Sequence, residues 1–187
     1  MNFELVIRRV VEAMEAEGIR YALIGGFAMA LRGVQRATMD LDFILMLEDM
    51  RRADAILRGL GYECLHQSPN VSQYQAADGE WGRIDILHAF RGPTLGMLKR
   101  AELLPVLPGL KIRVVQQEDI IGLKVQASVN NPARETRDWA DIRMILEASR
   151  EQGQTVDWEL IADYLRLFHL EARLPELKKY HGHSDQN

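Results

Sequence analysis

The segment Thr38-Met39-Asp40-Leu41-Asp42-Phe43-Ile44-Leu45 constrains this chain more than any other. Read as a β-strand, it puts Asp40 and Asp42 on one face, because side chains two residues apart project the same way. Leu41, Phe43 and Leu45 point oppositely and anchor the strand in a core. Two carboxylates this close repel each other unless a cation lies between them. Oxygen ligands at this spacing suit Mg²⁺, which takes one or two carboxylates and completes its shell with substrate phosphates and water. A strand edge carrying two solvated acids shows the same pattern, and Asp-x-Asp alone is too short to separate the two readings.

What precedes the strand narrows the choice. Tyr21-Ala22-Leu23-Ile24 reads as a short buried strand that runs into Gly25-Gly26, then a short helix from Phe27 to Leu31 closed by Gly33. Glycines let a backbone approach a ligand closely, and the N–H groups of such a turn are placed to hold phosphate. Followed by Asp-x-Asp on the next strand, the turn describes a phosphate cradle facing a metal pair. The combination is more specific than either part.

Around this centre the pattern is mixed. Phe3, Val6, Ile7, Val10, Val11 and Met14 recur at helical spacing before Gly18, and Ala53, Ile56, Leu57 and Leu60 mark a second helix ending at Gly61. Strands are expected near 62–66, 71–77 and 83–88, with an Asp78-Gly79 turn between the last two. Gly92 to Gly109 holds three prolines and is expected to be irregular or briefly helical. Lys111 to Val115 reads as a strand. Helices follow at about 117–130, 133–149 and 157–170, with Pro132 suited to a first helical position and Asp157 to a cap. The expected fold class is α/β (α+β), a mixed sheet flanked by helices with a C-terminal helical portion. Residues 1–115 would form the α/β core, 116–175 a helical portion packed on the same domain, and 176–187 a flexible tail.

Composition sets outer limits. The 187 residues are 47% hydrophobic and 27% charged, as in ordinary globular proteins, and can bury a core without disulfides. The single cysteine, Cys64, excludes a disulfide framework and a cysteine-based zinc site, and leans towards a reducing compartment. No signal peptide or membrane span is expected, so the cytoplasm is the expected location. A formal charge of -4 with well-mixed signs argues against a broad nucleic-acid-coating surface but leaves room for a local phosphate site. His181 and His183 in the tail lack the further ligands that a metal site needs.

Ile24-Gly25-Gly26-Phe27-Ala28, together with Arg36-Ala37-Thr38-Met39-Asp40-Leu41-Asp42, resembles the signature of the DNA polymerase β-type nucleotidyltransferase superfamily. More closely it resembles the AbiEii-type branch, which includes toxins of bacterial toxin–antitoxin pairs. Glu118-Asp119-Ile120-Ile121-Gly122-Leu123-Lys124-Val125-Gln126-Ala127 is similar to that branch's lysine motif. Arg134-Glu135-Thr136-Arg137-Asp138-Trp139-Ala140-Asp141-Ile142 is similar to the motif that follows. The matching segments run from about Tyr21 to Leu146, most of the chain.

The resemblance implies a nucleotidyltransferase fold and a metal-dependent transfer of a nucleoside monophosphate from an NTP to an acceptor hydroxyl. It supplies Asp85, in Arg83-Ile84-Asp85-Ile86-Leu87, as a third carboxylate; from the residues alone Asp85 is a strand acid of no assigned purpose. Asp40, Asp42 and Asp85 would then hold two Mg²⁺ ions. Gly25, Gly26, Arg36, Thr38 and Lys124 would face the nucleotide, with Asp138 and Asp141 in the same binding set. Periodicity independently puts Lys124 in an apolar stripe with Ile120 and Ala127. There it either reaches phosphate as a compact charge or covers core surface with its stem. Asp138 and Asp141 share a helical face, where Asp138 also suits a helix's first turn and Asp141 a nearby arginine. Two positions depart from the pattern: Gly26 stands where many members carry serine, and Arg137 where the later motif carries lysine, keeping charge but changing geometry.

The acceptor is left open among classes. The AbiEii-type resemblance implies RNA, such as a tRNA 3′ end, or a protein, and an antitoxin as partner. Transfer to a small hydroxylated molecule, as in aminoglycoside or lincosamide nucleotidyltransferases, is the alternative enzyme reading, and the negative charge suits it. A non-catalytic nucleotide-binding or partner-binding module is the alternative from another class.

Overall fold

Val6, Ile7, Val10, Val11 and Met14 recur every three or four residues and are fully buried, so the first helix, α1 (Phe3–Ala16), is fixed by one apolar face. Each such side chain contributes about 1.5–3 kcal/mol when removed from water. The helix closes with Gly18 N–H bonded to Glu15 O and Ile19 N–H bonded to Met14 O. The computed structural model describes residues 3–35, 38, 40–76 and 81–182. The expected Asp78-Gly79 turn, Arg36 and His183 lie outside them.

Contacts divide the chain into two compact units, one of residues 1–31 and 36–116, the other of residues 32–35 and 117–187. In the first unit α1 is followed by β1 (Tyr21–Ile24), α2 (Gly25–Leu31), β2 (Asp40–Met46), α3 (Met50–Gly59), β3 (Tyr62–Gln67), β4 (Val71–Ala76) and β5 (Arg83–Ala89). Then come α4 (Gly92–Arg100), β6 (Glu102–Leu107) and β7 (Leu110–Val114). The strands form a seven-stranded mixed sheet in the order β3-β4-β5-β2-β1-β7-β6. β2 runs parallel to β5 and antiparallel to β1, and β1 runs parallel to β7. This is the mixed α/β fold expected from the sequence.

Register explains why β2 sits at the centre. Leu41 pairs with Ile84 and Phe43 with Ile86, and all four are essentially buried. The opposite face of the same two strands carries Asp40, Asp42, Arg83 and Asp85, which keep some exposure. Ile44, further along that face, is fully buried, so the accessible stretch is confined to the start of β2.

The segment expected to be irregular is instead ordered as α4 and β6. Pro93 occupies the first turn of α4, where a missing N–H costs nothing, and Thr94 Oγ1 accepts from Arg91 N–H. Pro105 lies on β6, the last strand of the sheet, whose outer side needs no donor. Proline therefore punctuated regular elements here and did not abolish them.

The second unit holds α5 (Gln117–Asn130), α6 (Glu135–Glu151), α7 (Trp158–Leu167) and α8 (Leu174–Tyr180). Asn131 Oδ1 accepts from Ala133 N–H and starts a short 3₁₀ turn at Pro132, so α6 begins slightly later than its periodicity suggests. Asp157 caps α7 by accepting from Leu160 N–H at 3.0 Å. α8 covers positions expected to begin a flexible tail; Leu177 is 1% exposed and ties it down. Among the described residues no helix is long and apolar enough to cross a membrane.

Gly122 in mid-α5 has a packing reason. A Cβ there would stand 2.6 Å from Cγ of the Tyr164 ring, whose hydroxyl donates to Asp119 Oδ1 at 2.6 Å. The ring lies flat on the helix backbone while its hydroxyl reaches one turn back. Alanine would recover about 1 kcal/mol of helix propensity. Overpacking against a buried ring costs about 1–3 kcal/mol, and the hydroxyl bond would be disturbed too. Gly122→Ala is therefore expected to lower the thermal midpoint by several degrees, and a midpoint equal to or above the parent's would show that the ring yields freely.

Candidate active site

The site is built where β1 ends. Ile24 pairs in register with Asp42, and the next residue, Gly25, turns the chain into α2 with φ +68°. A side chain at Gly25 would stand 2.7 Å from Asp42 Cβ and 2.5 Å from its Cγ. Both the backbone conformation and the contact demand glycine. The Asp42 carboxylate thus lies directly against bare backbone at the Gly25-Gly26 turn. Gly26 has a second neighbour: a Cβ there would be 3.0 Å from both Cβ and Oγ1 of Thr38. That crowding gives a reason for glycine where the resemblance leads one to expect serine. Thr38 itself donates its hydroxyl to Asp40 O at 3.2 Å, which fixes the start of β2.

The carboxylates meet across parallel strands. Asp42 pairs in register with Asp85, and Asp40 with Arg83. The structure therefore brings together Asp40, Asp42, Asp85, Gly25, Gly26 and Thr38 in the first unit. Asp40 is exposed, whereas Asp42 and Asp85 are half-buried. Arg83 Nε donates to Asp85 Oδ1 at 2.8 Å. That bond, with the charges of Asp85, Asp40 and Asp42, raises the guanidinium's pKa above its ordinary value, against the opposing pull of burial. Sequence reading missed Arg83, although its position two residues before Asp85 on one strand was the available signal.

Asp40, Asp42 and Asp85 share this face with the Arg83 guanidinium. The donors are all hard oxygens, the set that suits Mg²⁺ when phosphate and water complete its shell. The bare cradle at Gly25 leaves backbone, not a side chain, next to Asp42. Among the described residues no group of three or more His, Cys, Asp or Glu is already gathered as a ligand cluster. Asp85 is turned onto Arg83 instead. The residue types and register fit a divalent cation, with Asp85 the carboxylate that has to turn.

Lys124, Asp138 and Asp141 are brought together in the second unit. Lys124 Nζ on α5 donates to Asp138 Oδ1 at 3.1 Å and to Asp141 Oδ2 at 2.5 Å, both on α6. Asp138 is completely buried, and Arg134 adds a second cation at 3.2 Å from its Oδ2. The Lys124 side chain is only 10% exposed. It neither snorkels to water nor covers the core with its stem alone, because its charge is held between two acids. Asp141 takes the lysine, and Asp138 takes both the lysine and an arginine, a sharing that spacing on one helix could not show. Arg137 is exposed.

The fold has counterparts among solved structures. The antibiotic-resistance factor ANT(2″)-Ia in solution superposes with a TM-score of 0.67 at 18% identity, covering 98% of this chain and 100% of that one. Its crystal structure in complex with adenylyl-2″-tobramycin gives 0.65 at 16% identity, over 90% and 98%. An antigenic nucleotidyltransferase-like protein from Paracoccidioides brasiliensis gives 0.55 at 18% identity, over 96% and 93%. At these identities the likeness speaks for the fold. No curated protein sequence matches the chain. Residues 2–177 match the family described as uncharacterised nucleotidyltransferase, nearly the whole chain, and the protein belongs to that nucleotidyltransferase family.

Proposed function

We propose that the protein transfers a nucleoside monophosphate from an NTP to an acceptor hydroxyl, with Asp40, Asp42 and Asp85 holding Mg²⁺. The observation that carries this is the register of Asp42 beside Asp85, with the bare Gly25 backbone against Asp42. Bound Mg²⁺ would supply charge stabilisation for the entering and leaving oxygens and make the acceptor hydroxyl more acidic. The backbone of the Gly25-Gly26 turn would hold phosphate without side-chain interference. Asp85 would take the hydroxyl proton as the acceptor oxygen bonds to the α-phosphorus and the bond to the β-phosphate breaks, releasing pyrophosphate. Arg36 and Thr38 would flank the triphosphate, as the resemblance implies.

Two observations favour different acceptors. The AbiEii-type likeness of the Gly-Gly, Asp-x-Asp and lysine motifs favours RNA or a protein, and with it an antitoxin as partner. The whole-chain likeness to ANT(2″)-Ia and the net charge of -4 favour a small hydroxylated, cationic molecule. One assay separates them: α-labelled NTPs with Mg²⁺ and either cellular RNA and extract or a panel of aminoglycosides and lincosamides. Label on RNA or protein supports the first reading, and label on a panel compound supports the second. Tight NTP binding with no transfer to either would favour the non-catalytic module. The single free cysteine, Cys64, supports a reducing location, the cytoplasm.

Asp42→Ala is expected to lower pyrophosphate release by about a thousandfold or more, since it removes the carboxylate central to the site. Undiminished release would sink the assignment. Gly25→Ala tests the cradle: the new methyl must push the Asp42 carboxylate aside, and a misplacement near 1 Å costs about a hundredfold in rate. Retained kcat in a folded Gly25→Ala protein would separate the turn from the chemistry.

Lys124 is proposed to act chiefly by holding α5 to α6. Lys124→Met would strip two buried carboxylates of the cation they share, a change that costs about 3–5 kcal/mol. Denaturant unfolding should show that loss. A fully stable Lys124→Met protein with a raised KM for NTP would instead return Lys124 to the phosphates.

A further inference from the structure

The Arg83 guanidinium stands among the three carboxylates. Arg83 Nε donates to Asp85 Oδ1 at 2.8 Å, while its backbone is registered with Asp40 on the neighbouring strand. The pair is half-buried, with side-chain exposures of 37% for Arg83 and 30% for Asp85. A carboxylate oxygen bonded to a guanidinium has lost part of its capacity to ligate. A divalent cation reaching for Asp85 must displace that bond and also bind against the arginine's charge.

Resting on the metal-dependent reading above, we propose that Arg83 is a positioning residue that competes with the divalent cation for Asp85. In the metal-free protein Arg83 offsets the mutual repulsion of Asp40, Asp42 and Asp85 and keeps Asp85 turned towards itself. When metal binds, Asp85 is released to it. Arg83 then remains beside the carboxylates as a fixed positive charge that eases the approach of a triphosphate. Removing Arg83 should therefore move two affinities in opposite directions, tightening metal and weakening nucleotide. An arginine that merely supports the strand would lower both or neither.

The experiment titrates Mn²⁺, followed by electron paramagnetic resonance, into the parent protein, Arg83→Gln, Asp85→Asn, the double variant and Asp42→Ala. Arg83→Gln is expected to bind Mn²⁺ about fivefold tighter, a modest gain because the pair is solvent-screened. The gain should vanish in the Asp85→Asn background, as coupling through one shared partner requires. At saturating Mn²⁺ a non-hydrolysable ATP analogue should bind Arg83→Gln several-fold more weakly than the parent. Equal or weaker Mn²⁺ binding by a folded Arg83→Gln overturns the competition and leaves the metal-dependent reading standing. Parent protein whose Mn²⁺ binding ignores Asp42→Ala overturns that reading and this inference with it. Should Arg83→Gln fail to fold, the Arg83 Nε–H resonance of the parent decides. It should shift and exchange faster as Mg²⁺ is added, and indifference up to saturation overturns the proposal.

Discussion

Like charges on one face of a β-strand set the terms for the rest of the first unit. Asp40 and Asp42 must share a face because the strand has a period of two, and Asp85 joins them because β5 is parallel to β2 and in register with it. Carboxylates so placed raise each other's cost unless water, a guanidinium or a metal offsets them. That requirement keeps the start of this face from closing over, while Leu41, Phe43, Ile84 and Ile86 bury the other face completely or nearly so. The Gly25 turn follows from the same demand. With Asp42 pressed against it, no side chain fits there, and the backbone is left bare beside the charge.

Much of this was legible in the sequence, for identifiable reasons. The alternation in β2, the helical stripe of α1 and the Asp157 cap are local patterns, and the structure follows them. Asp42 beside Asp85 was reached only through a family likeness, since no local pattern gives the pairing of distant strands. Arg83 was missed although it stands two residues from Asp85, because an arginine on a half-exposed strand face looks like ordinary surface. The stretch from Gly92 to Gly109 misled because proline was read as a breaker. At a helix's first turn and on an outermost strand, proline breaks nothing. The buried cluster around Lys124 shows a different limit: spacing put Asp138 and Asp141 on one helical face but could not say which cation each would meet.

The two ionic clusters obey one rule with opposite results. Around Lys124 two cations, Lys124 and Arg134, face two carboxylates, and three of those four side chains are at most 10% exposed. Deep burial tolerates charge when it is balanced, and the two cations balance these carboxylates although Asp138 Oδ2 meets Arg134 only as an ion pair, without a hydrogen bond. On β2 and β5 Asp40, Asp42 and Asp85 share a face with Arg83, and water still reaches all of them. The accessibility of Asp40, Asp42 and Asp85 therefore fits the part proposed for them in the reaction. By the same reasoning the buried, paired charges of Lys124, Asp138 and Asp141 argue for holding two helices together.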